Sequence, residues 1–411
     1  MNKILTLLFI ALVLISCNKE QKEDLLDITL DFNGNNLIIH AEFNHYNAEK
    51  QMDSLPFLLH PKFKINSIQV ENLTSYEFVE TNYDPNLWLH LDKPVKAGDD
   101  IKVTFDYEID LSEMNYIDSD WIELNLDRYW YPHYGSMYDK FISNIHIKNL
   151  DNRYSFVSYM DSEIKELADG SYKVTNTRPT FEAFLLIGKD MRFWESEKDG
   201  IKIDFFASEK VSDSLLNSMN TKVFKSIQLY NNTFGTEKPI TNYRVALRNT
   251  TQDQIGYQFA RNNMMVTGPD FDTYGDLAHE IGHFWWKKEE EHVNDPWLSE
   301  SFANYAMFMV IEEYDSPEEY DRLLSIYKKR AEDLPPIKGN TMFSENAFSV
   351  YYIKGFVLLM ELEKRIGREK MISLLKARIA DKTETTDEFL SLMEKILGKE
   401  DRDFFEKLLE S

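Results

Sequence analysis

The 411-residue chain is poor in three things that would each have pointed elsewhere. It has a single cysteine, Cys17, so it can form no intrachain disulfide and no thiolate metal site. It is short of positive charge: 46 Lys and Arg stand against 70 Asp and Glu, a net charge of −24. That argues against nucleic acid or an anionic membrane surface as an electrostatic partner, and a solvated acidic surface accounts for it. It also lacks a long hydrophobic run. The apolar stretch Ile4–Ile15 is too short to span a bilayer comfortably and, preceded by Lys3, reads as the core of a signal peptide. No internal repeat is present. Hydrophobic residues make up 43% and aromatics 14%, enough for real cores, and the length suggests two or three domains.

The richest segment is Leu277-Ala278-His279-Glu280-Ile281-Gly282-His283-Phe284-Trp285-Trp286. On a helix, residues four apart lie about 6 Å apart along the axis and roughly 40° apart around it. His279 and His283 can therefore grip one metal ion, and Glu280 can reach a water bound to that metal. This is the layout of a zinc hydrolase. The competing reading is a surface helix with ordinary polar residues. The apolar neighbours Leu277, Ile281, Phe284, Trp285 and Trp286 argue against it, because imidazoles beside a buried face need partners. Gly282 costs roughly 1 kcal/mol of helix propensity relative to Ala, which suggests that another segment or a substrate comes close there.

Catalytic zinc usually has three protein ligands and keeps one position for water. Downstream, Trp297-Leu298-Ser299-Glu300-Ser301-Phe302-Ala303 reads as the start of a second helix. Glu300 lies in its first turn among apolar residues. A helix dipole could stabilise it there, but with two His nearby, metal ligation is the better reading. Carboxylates that orient the imidazoles are also expected. Asp276 and Asp295 are both candidates.

His-Glu-x-x-His followed by Trp-Leu-x-Glu-x-Phe-Ala resembles the aminopeptidase N family of gluzincin zinc peptidases. The resemblance implies one Zn2+ held by His279, His283 and Glu300, with Glu280 as general base. Sixteen residues separate His283 from Glu300, where the family usually has about eighteen, a difference that loops absorb. Tyr351-Tyr352-Ile353-Lys354-Gly355 matches the family's Tyr-x-Lys-Gly and selects Tyr352 as the donor to a developing oxyanion. The residues alone do not choose between Tyr351 and Tyr352. One family feature is missing. Aminopeptidases of this kind carry Gly-x-Met-Glu-Asn, whose Glu binds the substrate's free amine. The corresponding segment, Gly256-Tyr257-Gln258-Phe259-Ala260-Arg261, has no acidic residue. Gly256 and Gln258 are the substrate-binding candidates there, and Gln258 cannot pair with an ammonium as a charge.

The expected fold class is α+β in two domains. From Asp27 to Trp194 the chain reads as short strands: Ile101–Ile109 places an apolar or aromatic residue at every second position. Turn signals such as Asn33-Gly34-Asn35 punctuate it. An antiparallel sandwich or saddle is expected over 27–194, and the family's N-terminal domain is of that kind. The residues His40, His45, His60, His90, His133 and His146 form no metal motif and read as packing or surface residues. From 195 to 411 a thermolysin-like, mostly helical domain is expected. It would have helices over Ser212–Phe234 and Phe348–Ile366, strands over Tyr243–Leu247 and Asn263–Thr267, and a capping box of Thr385 and Glu388. The charge run Lys287–Glu291 reads as a solvated loop.

Leu14-Ile15-Ser16-Cys17 resembles a bacterial lipobox, in which residues 1–16 are removed and Cys17 becomes a lipidated N-terminus; the other reading is an ordinary secretory signal. Residues 17–26 would be a polar tether to the membrane, placing the protein in the bacterial cell envelope, in the periplasm or on the outer surface. The expected activity is peptide-bond hydrolysis. Endopeptidase, blocked-peptide and aminopeptidase action remain open, and oligomeric state is not encoded in any motif. The alternatives are a non-catalytic peptide- or protein-binding lipoprotein on a peptidase fold, and a zinc hydrolase of a non-peptide substrate. If Cys17 carries the anchor, Cys17→Ser expressed in a bacterium should move the protein from the membrane to the soluble envelope fraction; unchanged membrane retention would count against it.

Overall fold

The computed structural model describes residues 22–46, 48–81, 85–113, 120–235, 239–248, 257–261, 263–286, 295–341 and 344–411. Cys17, the first half of the expected tether, Gly256 and the run Lys287–Glu291 lie outside the described residues. No helix among the described residues is long and apolar enough to cross a membrane.

The first half is β structure. A seven-stranded sheet runs in the order Glu163–Glu166, Tyr172–Thr175, Ile142–Lys148, Leu25–Asn33, Asn36–His45, Ile101–Asp110, Lys64–Gln69. A four-stranded sheet contains Leu73–Phe78, Leu87–Val95, Met52–Leu58 and His133–Tyr134. Alternation places Leu37, Ile39, Ala41 and Phe43 of one strand, and Val103, Phe105 and Tyr107 of its neighbour, in a common core. Phe57 of the four-stranded sheet meets Phe43 and Phe105 of the larger one, with ring centroids 5.8 and 5.0 Å away. The larger sheet is not wholly antiparallel, as the sequence pattern had suggested. Leu25–Asn33 pairs parallel with Ile142–Lys148. Period-two alternation is the same for both pairings, and strands so distant in sequence are not restricted to a hairpin.

The second half opens on a five-stranded sheet ordered Met191–Lys198, Ile201–Ser208, Asn242–Leu247, Met264–Thr267, Phe259–Arg261. The position between Trp194 and Glu195 falls inside its first strand. Helix α1 (Asp213–Phe234) is capped by Ser212, whose side chain accepts from the Leu215 amide. Helices α2 (Tyr274–Trp286), α3 (Trp297–Tyr314) and α4 (Pro317–Ala331) follow. Next comes a helical stretch over 347–366 in which Val350–Lys354 is π-wound and leads into α5 (Gly355–Ile366). Helices α6 (Arg368–Asp381), α7 (Thr386–Leu397) and α8 (Lys399–Leu409) complete the chain. The Thr385–Glu388 capping box forms as its spacing predicts. Helix α3 is apolar on nearly every face, and it lies buried among its neighbours.

The two halves meet through a shared apolar layer and a buried ion pair. Trp121, Tyr159, Phe184 and Leu186 from the first half pack with Phe206, Ala246, Met264 and Val266 from the second. Beside them, Arg248 and Glu123 form a two-pronged salt bridge that is at most 1% exposed. The Trp121 indole also donates to Glu123, and Arg248 donates to the Tyr257 carbonyl. Removing one partner leaves a buried charge unmatched. Glu123→Ala is expected to lower stability by about 3–5 kcal/mol, and Glu123→Leu combined with Arg248→Met to recover most of that, measured by denaturant unfolding.

Candidate metal centre

Helix α2 carries His279, Glu280 and His283, all buried, on the face turned to α3. Gly282 is what lets α3 come close. A β-carbon at 282 would sit 3.4 Å from the Ala303 Cα, in van der Waals contact, so the helices pack here with no room left between them beyond a methyl group. The segment that approaches at Gly282 is thus α3, and it brings Glu300 to the two imidazoles. His279 Nε2 lies 3.2 Å from His283 Nε2. Glu300 Oε2 is 3.5 Å from the first and 3.3 Å from the second. Among the described residues this is the His/Cys/Asp/Glu group whose ligand atoms converge closely enough to hold a metal ion.

The chemistry of the donor set can be tested against a metal. Asn304 donates from Nδ2 to the Tyr352 carbonyl (2.5 Å), which fixes the amide so that Oδ1 faces His279. His279 Nδ1 must then carry the proton that Oδ1 accepts at 2.8 Å, leaving a bare lone pair on Nε2. His283 Nδ1 lies 3.2 Å from the Ser299 hydroxyl, which can accept from an Nδ1 proton and leave Nε2 for a metal. Glu300 Oε2 is buried and makes no hydrogen bond. Three lone-pair atoms thus face one another with edges of 3.2–3.5 Å. A tetrahedral ion with bonds of about 2.0–2.1 Å needs edges of about 3.3 Å. The set fits a zinc-like ion.

The field at this point is strong. Burial works to raise the Glu300 carboxyl, but His283 and His279 outweigh it and hold it well below the usual range. For His279, burial opposes charging, while Glu300, Glu280 and Asn304 together leave its pKa raised. Tyr352 stacks on His279 at 5.6 Å, and Phe348 covers the other face of the phenol ring at 4.1 Å. Burial, then Glu300 and Glu280, push the phenol well above its usual pKa, so it stays protonated as a donor.

Tyr352 is placed by the π turn, which the sequence pattern reads as plain α-helix. Ser301 and Asn304 of α3 donate to the carbonyls of Tyr351 and Tyr352 and fix this turn against the metal ligands. Gly355 is required by the same contact: a β-carbon there would lie 1.9 Å from the Ser301 oxygen. Lys354 turns the other way and donates to the carbonyls of Leu334 and Ser411.

Three sequence expectations change here. Asp276 and Asp295 do not orient the imidazoles. Asp276 accepts from the Thr273 hydroxyl at the head of α2, and Asp295 accepts from the Thr386 amide at the head of α7. Asn304 and Ser299 do that work instead. Their signal was present: both share α3 with Glu300, and Asn304 lies one helical turn beyond it on the same face. The Gln258 amide already has partners within the fold. Its Nε2 donates to the Asp276 carbonyl and its Oε1 accepts from Thr267, tying the edge strand to α2. The nearby buried Glu182 is also occupied, by the Leu126 amide, the Tyr159 hydroxyl and Arg261. Replacing Asn304 by Ala is expected to weaken divalent-metal affinity by about 10–100-fold, measured by chelator competition, with the fold intact by circular dichroism.

No family model matches the chain, and no curated protein matches it in sequence. Solved structures do. The M1 zinc metallopeptidase from Deinococcus radiodurans superimposes with a TM-score of 0.64 at 18% identity, over 94% of this chain and 92% of that one. A Glu-to-Ala mutant of a two-domain M1 zinc metallopeptidase bound to L-arginine gives 0.66 at 17% identity, over 94% and 93%. A Glu-to-Ala mutant of the Deinococcus radiodurans enzyme bound to a Tyr-Ser-Ala substrate gives 0.63 at 17%, with the same shares covered. At these identities the likeness is one of fold: nearly the whole chain has the mixed α/β architecture of a two-domain M1 zinc metallopeptidase.

Proposed function

We propose that this protein is a zinc-dependent peptidase. The observation that carries the reading is the meeting of His279, His283 and Glu300 at tetrahedral-edge distances, with Glu280 buried on the same helix. A single ion held by these three residues would supply polarisation of a water and of the scissile carbonyl. The solved structure bound to Tyr-Ser-Ala supports a peptide as the substrate class.

The chain's own groups then have distinct tasks. Glu280 is positioned to take a proton from the attacking water and pass it to the leaving amine. It has no competing ion pair among the described residues, and its charge is felt at His279 and Tyr352. Tyr352 holds a proton on its phenol and is rigidly stacked, so it can donate to the oxyanion as charge develops. Asn304 and Ser299 keep the two imidazoles in orientation. The edge strand Phe259–Arg261 carries no acid, and both Gln258 and Glu182 are engaged inside the fold. Nothing in this strand is set to receive a free α-ammonium, which supports cleavage of peptides without dependence on a free N-terminus. The Leu14–Cys17 motif and the apolar run before it support a lipid anchor in the bacterial envelope.

Glu280→Gln is expected to retain stoichiometric zinc while peptide turnover falls about 10²–10⁴-fold; undiminished turnover would sink the assignment. An acetylated fluorogenic peptide should be cleaved as well as its free-amine counterpart. Cleavage of the free peptide alone would show that another group takes the ammonium.

A further inference from the structure

Among the described residues, the well-buried arginines face a carboxylate, with one exception. Arg248 pairs with Glu123, Arg244 with Asp204, and Arg261 with Glu182. Arg378 on α6 is 4% exposed, yet no carboxylate pairs with it among the described residues. Its guanidinium lies 4.1 Å from the Phe302 ring centroid and 5.6 Å from that of Trp286. Its Nε and Nη1 are buried without any hydrogen-bond partner. The Trp286 indole, 2% exposed, has an unpartnered Nε1 as well, and so does the buried Thr383 hydroxyl on the loop that leaves α6.

An unmatched buried cation is costly, and an unmatched buried donor adds to the cost. Burial alone pulls Arg378 down to about 9, which still leaves it charged at neutral pH. Contact with the two aromatic rings offsets part of this cost but satisfies no N–H donor. The in-plane N–H fork, which is the part that grips anions, is left over.

We propose that Arg378, with the indole N–H of Trp286, binds a small monovalent anion, chloride in size and charge, at the junction of α2, α3 and α6. One positive charge and neutral donors match a single negative charge. A multiply charged anion would be left uncompensated in a chain of net charge −24. The near-complete burial excludes a peptide carboxylate and admits a bare ion. Its place gives the ion a consequence: Trp286 lies three residues beyond His283, and Phe302 two beyond Glu300. The anion would therefore tie α2 to α6, with the Arg378 guanidinium lying against Phe302 of α3. This inference does not rest on peptidase activity.

The test is thermal unfolding of the purified full chain at constant ionic strength, with sodium chloride progressively replacing sodium gluconate. The midpoint should rise with chloride and saturate, as for a single site on the folded state. Bromide should substitute, giving an anomalous scattering peak within hydrogen-bonding distance of Arg378 in a crystal. Arg378→Met should fold and lose the chloride response. Trp286→Phe, which keeps a ring but removes the N–H, should weaken the apparent chloride affinity about tenfold. Equal midpoints for the wild type in chloride and gluconate would overturn the proposal, and so would a full chloride response in Arg378→Met or bromide peaks found only elsewhere.

Discussion

The separation between α2 and α3 governs this molecule's chemistry. Two histidines on one helix make only half of a metal site, and the carboxylate must arrive from another element at the right height. Gly282 facing Ala303 allows the backbones to approach until the Glu300 oxygen stands 3.3–3.5 Å from both Nε2 atoms. Ser301 lies on the same helix and is pressed against Gly355, so one tight contact locates the metal ligands and another locates the phenol. Small residues at both points cost helix propensity, and close packing is the return.

Charge is handled differently in the two halves of the molecule. The surface is strongly acidic, but the buried cations are arginines with assigned counter-ions where the two halves meet. Such pairs do little for net stability once desolvation is counted, but they tolerate no loss of one partner. They act as registration marks between the apolar layers, which by themselves would slide. The edge strand beside the candidate site runs through this region, so its side chains are taken up by structure on both faces: Gln258 toward α2, and Phe259 and Arg261 toward Phe184 and Glu182.

Much of this was legible in the chain. The i, i+4 spacing of His279 and His283, the apolar setting of Glu300 and the alternation over Ile101–Ile109 each encode a local geometry that neighbours cannot easily override. The capping box at Thr385 did so too. Other features depended on contacts between distant segments. Asn304 is one of many polar residues until its amide is seen to be fixed by the Tyr352 carbonyl. Asp276 and Asp295 are acids near the right helices, but helix N-termini claimed them: Asp276 by a local bond three residues away, and Asp295 by the distant amide of Thr386, a contact that only the assembled fold reveals. The parallel strand pair leaves no trace in periodicity, because alternation does not record strand direction, and the π turn is fixed by bonds from Ser301 and Asn304 on another helix.

Asn304 touches both parts of the candidate site at once: its oxygen holds His279 and its nitrogen holds the backbone of Tyr352. Ligand geometry and phenol position are therefore set by one planar group and cannot drift independently. The trio is already assembled by folding, with the His279 tautomer set for ligation by Asn304, so an arriving cation need displace no side chain. A site of this kind keeps the ion's shape whether or not the ion is bound, so metal exchange carries little reorganisation of the protein.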